Sequence, residues 1–197
     1  IHALRTGEGQ VVDSAMVDGS LSLMSFFYSL KEMGHWVDKR ESNLLDGFAH
    51  FYDTYECSDN KFLAVGSIEP QFYSELLDKL GIEEDKFKDQ HNKDLWPELK
   101  NIMSSKIKSK SRSEWIEIFK DSDACVSPVL SMEEAKKHPH NIEREAFINI
   151  DGFNQPNASP RYSVTKQEIK HNAKQVGADL DDICKEFNLS IDALKKT

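Results

Sequence analysis

Asp46, His50, Asp53 and Glu69 are the side chains whose types suit proton transfer. A histidine set among carboxylates can take a proton from one face of a carbon and return it to the other. Whether the four converge depends on the hairpin that separates Asp46 and Asp53 from Glu69. Glu69 is the best aimed of them. It lies in Gly66-Ser67-Ile68-Glu69-Pro70, between the apolar run Phe62–Val65 and a set of residues, Phe72, Tyr73, Leu76, Leu77 and Leu80, recurring at helix spacing. Pro70 suits the first turn of that helix, where its missing N–H costs nothing. Proline also biases Glu69 toward extended backbone. The positive end of the helix then favours an ionised carboxylate. Starting the helix is the simpler role for Glu69, and these residues by themselves favour it.

Other signals for chemistry are weaker. The nine glycines build no GxGxxG or GxxxxGK[ST] phosphate loop, and no GxSxG elbow is present. Cys57, Cys125 and Cys184 are far apart and odd in number, which argues against a disulfide framework and a zinc knuckle and leaves each as a buried thiol. His138-Pro139-His140 has no acidic or thiol ligands around it and reads as a surface turn, so no metal site is expected. The basic run Lys106–Arg112 reads as a solvated helix end rather than a phosphate site.

The elements around these residues follow from periodicity and turn chemistry. Ile1–Leu4 reads as the last turn of a helix, closed by Arg5–Gly9, so the chain is expected to begin inside a longer structure. Gln10–Asp13 reads as a short strand. Ala15–Met33 is apolar on several sides, which predicts a helix buried against several neighbours. Asp46-Gly47 signals a turn. Phe51–Glu56 and Lys61–Val65 form a hairpin around Ser58-Asp59-Asn60, and Gly81 ends the helix that starts at Pro70. Ile82–Asn92 is a charged connection, and Leu95–Ile107 and Arg112–Lys120 are amphipathic helices. Ala124–Leu130 is a buried strand, Ser131–Lys137 a short helix and Phe147–Ile150 a last strand. Gly152–Ser163 reads as a loop, with Leu180–Phe187 and Ile191–Leu194 as terminal helices.

Composition sets outer bounds. With 39% hydrophobic and 30% charged residues the chain has the make-up of a folded domain. A net charge of -9 argues against general nucleic-acid binding. No apolar run is long enough to span a bilayer, so no membrane partner is expected.

Six blocks carry a resemblance: GQVVDSAMVDGS (residues 9–20), NLLDGFAHFYDTYEC (43–57), AVGSIEPQFY (64–73), WPEL (96–99), SDACVSPVL (122–130) and PHNIERE (139–145). In this order they resemble the α-methylacyl-CoA racemases of the class III CoA-transferase superfamily, from the first residues to about Ser163. The resemblance implies an α/β fold of interlocked homodimers, with an α+β-like small domain of short antiparallel strands and helices. Residues 1–40 would be a linker region continuing from a large CoA-binding domain. Residues 41–150 would be the small domain, and residues 151–197 a returning C-terminal segment. The family's catalytic His and Asp would lie upstream of Ile1, and its catalytic Glu falls on Glu69. Leu44, Leu45, Tyr52 and Ile68 match positions lining the acyl side of the substrate pocket. The reaction implied is interconversion of (R)- and (S)-2-methylacyl-CoA through an enolate, with no cofactor beyond the CoA of the substrate. Localisation would be cytoplasmic in a bacterium and peroxisomal or mitochondrial in a eukaryote. Two other readings are a class III CoA-transferase moving CoA between carboxylic acids, and an inactive fragment serving only assembly. Two departures from the family stand out. Phe48 and His50 occupy an LDGGAP-like stretch and are expected to reshape the acyl pocket, while Gly177-Ala178-Asp179-Leu180 lacks the usual Gly-Glu-His-Thr-like cap.

Overall fold

The computed structural model describes residues 1–190. It divides into two compact units, Ile1–Val129 and Leu130–Thr197. The first unit is organised on a three-stranded antiparallel sheet of β1 (Tyr52–Glu56), β2 (Phe62–Gly66) and β3 (Val126–Pro128), with β2 in the middle. The expected hairpin is present, with Tyr52 opposite Gly66 and Glu56 opposite Phe62. Asn60 takes the left-handed backbone its turn needs (φ 58°). Side chains alternate across the sheet. Tyr55, Leu63 and Val65 are buried on one face, whereas Thr54, Ala64 and Ser127 are paired in a row on the other.

Three helices cover the buried face. The residues that α4 (Pro70–Leu80) buries, Tyr73, Leu76 and Leu80, come at three- and four-residue spacing, and Gly81 closes it in the left-handed region (φ 64°). Helix α5 (Trp96–Ile107) buries Trp96, Leu99, Met103 and Ile107. Helix α6 (Arg112–Phe119) starts at a capping box, in which Ser111 and Glu114 each satisfy the other's backbone N–H. The expected charged connection at Ile82–Asn92 holds a 3-10 turn, Asp85–Lys88, whose Phe87 is buried in the core.

The amino-terminal third departs from expectation. The short helix α1 (His2–Thr6) runs two residues past the expected last turn at Leu4 and ends at Gly7, within the expected closing turn. Gln10–Asp13, however, is not a strand, because no other strand pairs with it among the described residues. Ala15–Met33 is two helices, α2 (Met16–Leu23) and α3 (Ser25–Glu32), and neither buries a residue. Met16, Val17, Leu21, Leu23, Met24 and Phe26 are exposed; among the described residues nothing covers this apolar surface. Such a surface, apolar on several sides, has the character of an interface.

In the second unit, α7 (Met132–Lys137) opens on the expected Ser131 cap. His138 ends it, but Pro139 then starts α8 (Pro139–Glu143) where a surface turn was expected. β4 (Phe147–Ile150) is paired with β5 (Phe153–Pro156) across Asp151-Gly152, both at positive φ. Part of the expected loop at 152–163 is therefore strand. Helix α9 (Leu180–Glu186) matches expectation, and the expected helix at Ile191–Leu194 lies outside the described residues.

Candidate active site

Strand β2 ends in a tight turn that aims the chain at Glu69. The Ile68 N–H donates to the Gly66 carbonyl at 3.0 Å, closing a three-residue turn around Ser67. Ser67 is fully buried, and every bond it makes anchors that turn. Its N–H donates to the Phe51 carbonyl (3.0 Å) and its hydroxyl to the Ala124 carbonyl (2.5 Å). Glu69 then sits at the N-cap position of α4 in extended backbone (φ −74°, ψ 143°), as Pro70 requires. Its carboxylate is exposed and makes no hydrogen bond to the first turn. Helix starting is therefore left to Pro70 and the backbone, and the carboxylate is not used up as a cap.

Beside this turn, a cavity of about 440 Å³ opens on the solvent face of the sheet. Tyr52 and Thr54 from β1, Ala64 and Gly66 from β2, Ser127 from β3 and Cys125 just before it form its floor, with Asp46, Gly47 and Asp53 also lining it. Gly66 lies outside the left-handed region, and a Cβ there would touch only the Tyr52 ring (3.8 Å) and the Cys125 carbonyl (3.9 Å) at ordinary contact distance. Lys100 bridges Asp53 (2.5 Å) and the Gly47 carbonyl (2.5 Å). Asp46 accepts hydrogen bonds from the Ser42 and Asn43 N–H groups and from the Asn43 side chain. Those bonds outweigh desolvation and hold its carboxyl below the usual range. Cys125 departs from the expected buried thiol. It is exposed, in left-handed backbone (φ 52°), and lines the cavity. Partial desolvation raises its thiol above the ordinary value, and the Glu69 charge pushes the same way.

The four proton-transfer candidates do not converge. His50 is fully buried, and its Nε2 lies 2.7 Å from the Tyr73 hydroxyl among the rings of Phe51, Tyr73 and Phe87. Because that hydroxyl donates to the Phe87 carbonyl (3.1 Å), Nε2–H of His50 is the donor to Tyr73. The expectation that Phe48 and His50 shape an acyl pocket is corrected: His50 is a core residue, and Phe48 packs edge-on against Trp96 (5.3 Å). Burial, with a smaller push from His91, lowers the His50 pKa to about 4. Above pH ~6.5 the ring is neutral in both folded and unfolded chains and contributes nothing. Between ~6.5 and about 4 only the unfolded chain takes up the proton, so stability falls as pH falls, by about 3 kcal/mol at full extent. Denaturant unfolding at pH 7 and pH 4.5 checks this. His50→Leu is expected to remove that part of the pH dependence, and equal slopes in the two proteins would refute it.

The sequence matches the model of CoA-transferase family III over residues 1–180. The chain belongs to this family. It is 42% identical over 189 residues to a mouse protein named alpha-methylacyl-CoA racemase, covering 94% of this chain and 49% of that protein. To the human protein of the same name it is 44% identical over 157 residues, covering 80% of this chain and 40% of the relative. The chain thus spans about half the length of these relatives or less. A CAIB/BAIF family protein from Brucella suis has the same fold, with a TM-score of 0.72 at 16% identity over 94% of this chain and 50% of that one.

Within this family III chain the residues singled out in the sequence are spread over three places. Tyr52 lines the cavity, whereas Glu69 follows three residues after the lining residue Gly66 and is not itself among the lining residues. Leu44 and Ile68 are half-buried and pack against the core. Leu45 is half-buried as well, and none of these three is among the residues lining the cavity. Ser67, Cys125 and Gln90 were missed. Ser67 and Cys125 lie inside the family blocks, but Gln90 sits in a charged stretch without periodicity and gave no signal.

Proposed function

We propose that the protein carrying this chain is a 2-methylacyl-CoA racemase, interconverting (R) and (S) thioesters by proton removal and return at the carbon next to the thioester carbonyl. The observation that carries this reading is the exposed, uncapped Glu69 carboxylate at the start of α4, in a chain 42% and 44% identical to proteins named alpha-methylacyl-CoA racemase. Removing the α-proton leaves a planar enolate, whose two faces are equivalent until a proton returns. Such a site needs an acid and a base of matched pKa and donors for the enolate oxygen. The role assigned to Glu69 is to orient and charge-stabilise a histidine supplied from upstream of Ile1, together with an upstream Asp. Tyr52 and the cavity floor would receive part of the acyl chain, with Leu44, Leu45 and Ile68 shaping its surroundings.

Charge supports dividing the substrate this way. Asp46 and Asp53 line the cavity, and Lys100, which reaches Asp53, is engaged by that carboxylate and the Gly47 carbonyl. Polyanionic CoA would be repelled there, so its phosphates would bind to other parts of the protein. An interlocked homodimer would cover the apolar α2–α3 surface. No cofactor is required beyond the CoA of the substrate. No helix of the described residues is long and apolar enough to cross a membrane, and localisation follows the organism as set out above.

The family also contains CoA-transferases, and the family model carries that name. The deciding experiment is deuterium uptake at the α-carbon of a 2-methylacyl-CoA in heavy water. Uptake with loss of optical purity is expected. Absence of uptake, with a covalent acyl-enzyme intermediate trapped by hydroxylamine, would favour a transferase.

A further inference from the structure

We propose that Gln90 is a positioning residue that holds the Glu69 carboxylate in register, an inference that rests on the racemase reading above. Gln90 is nearly buried, and its Nε2 donates to two successive carbonyls, Ser67 (3.0 Å) and Ile68 (3.0 Å). Both acceptors are carbonyls, so the group facing them must be the NH₂, and both of its hydrogens are engaged. The Ile68 carbonyl belongs to the peptide that leads into Glu69, so fixing it fixes the plane from which the Glu69 side chain departs. On the other side, the Glu69 carbonyl accepts from the Tyr73 N–H at 3.0 Å. Pro70 contributes no donor that would compete. Gln90 is itself held by the indole N–H of Trp96, which donates to the Gln90 carbonyl at 2.7 Å. The clamp thus runs from the core tryptophan to the Gln90 backbone, and from the Gln90 carboxamide to the residue before Glu69.

A merely structural role would lower stability and leave the catalytic step to Glu69 unchanged. A positioning role acts on the rate through Glu69, because a misplacement of about 1 Å costs roughly 10²-fold. The test uses Gln90→Met, which keeps length and loses both donors, in the full-length protein with 2-methylacyl-CoA. The expected result is a fall in kcat for α-proton exchange of about 10- to 100-fold with KM nearly unchanged. In a Glu69→Gln background the same Gln90→Met change is expected to have almost no further effect. An unchanged kcat in the single variant overturns the proposal, as does an equal loss in both backgrounds. If Glu69→Gln alone leaves exchange untouched, the racemase role of Glu69 and the role of Gln90 fall together; if it slows exchange to a measurable residue that Gln90→Met lowers by the same factor as in wild type, only the role of Gln90 falls.

Should Gln90→Met not accumulate as folded protein, Gln90→Glu supplies a second reading. It keeps shape but sets an acceptor against two carbonyls, and regains one donor when protonated. Exchange is expected to recover relative to wild type as pH falls, and a pH profile parallel to wild type would overturn the proposal.

Discussion

Glu69→Gln is expected to slow α-proton exchange by about 10²- to 10⁴-fold while leaving the fold intact. The substitution preserves size and one accepting oxygen but removes the charge. A histidine that becomes cationic while carrying a proton loses the anion that stabilises it, and an amide NH₂ can enforce the wrong ring tautomer. Because this loss falls on the transition state, kcat should drop with little change in KM. Glu69 is exposed and makes no capping bond, so stability should change by no more than about 0.5 kcal/mol. Glu69→Asp, which withdraws the charge by one methylene, is expected to fall between the two. Parallel exchange assays and denaturant melts measure both quantities; a stability loss matching the activity loss would return Glu69 to the role of helix starter.

The second large effect lies in the core. Trp96→Ala is expected to destabilise the protein by about 3–5 kcal/mol, because a fully buried indole leaves a cavity that its neighbours cannot fill. Trp96 packs against Phe51 (5.6 Å) and Phe48 (5.3 Å) and also donates to the Gln90 carbonyl. Trp96→Phe separates the two contributions. It retains most of the packing and strips the hydrogen bond, leaving the Gln90 carbonyl without that donor at a cost of about 1–3 kcal/mol. Urea unfolding of the two variants measures the difference. A Trp96→Ala loss under about 1 kcal/mol would mean that α5 is not held on the sheet through this residue.

What could be read in the sequence was what local chemistry dictates. The hairpin, the Pro70 helix start, the Gly81 stop and the Ser131 cap each depend on residues within a few positions of one another, and each is present. Misreadings arose where a partner decides. Val11 and Val12 have strand character, but a strand needs a neighbour, and Gln10–Asp13 has none among the described residues. The apolar sides of α2 and α3 implied burial that the described residues do not supply. Asp151-Gly152 was a different kind of miss, since it is a strong two-residue hairpin signal and the prolines beyond it drew attention to a loop. At the candidate site, Glu69 was legible from Pro70 and from the family blocks. His50 was misplaced because alternation near a strand entry does not say which way a single ring turns. Gln90 could not be found at all, since a carboxamide gripping two distant carbonyls leaves no periodic trace.

Gly66 has a consequence for how such proteins can diverge. Its backbone does not require glycine, and a methyl group there would meet its neighbours at ordinary distance. Every glycine codon becomes an alanine or a valine codon by one base change. The floor of the cavity is thus within a single mutational step of being raised, three residues before Glu69 yet without disturbing the clamp that holds it. On the proposed reading, a lineage can change the acyl groups it accepts while its proton-transfer chemistry stays under the same selection.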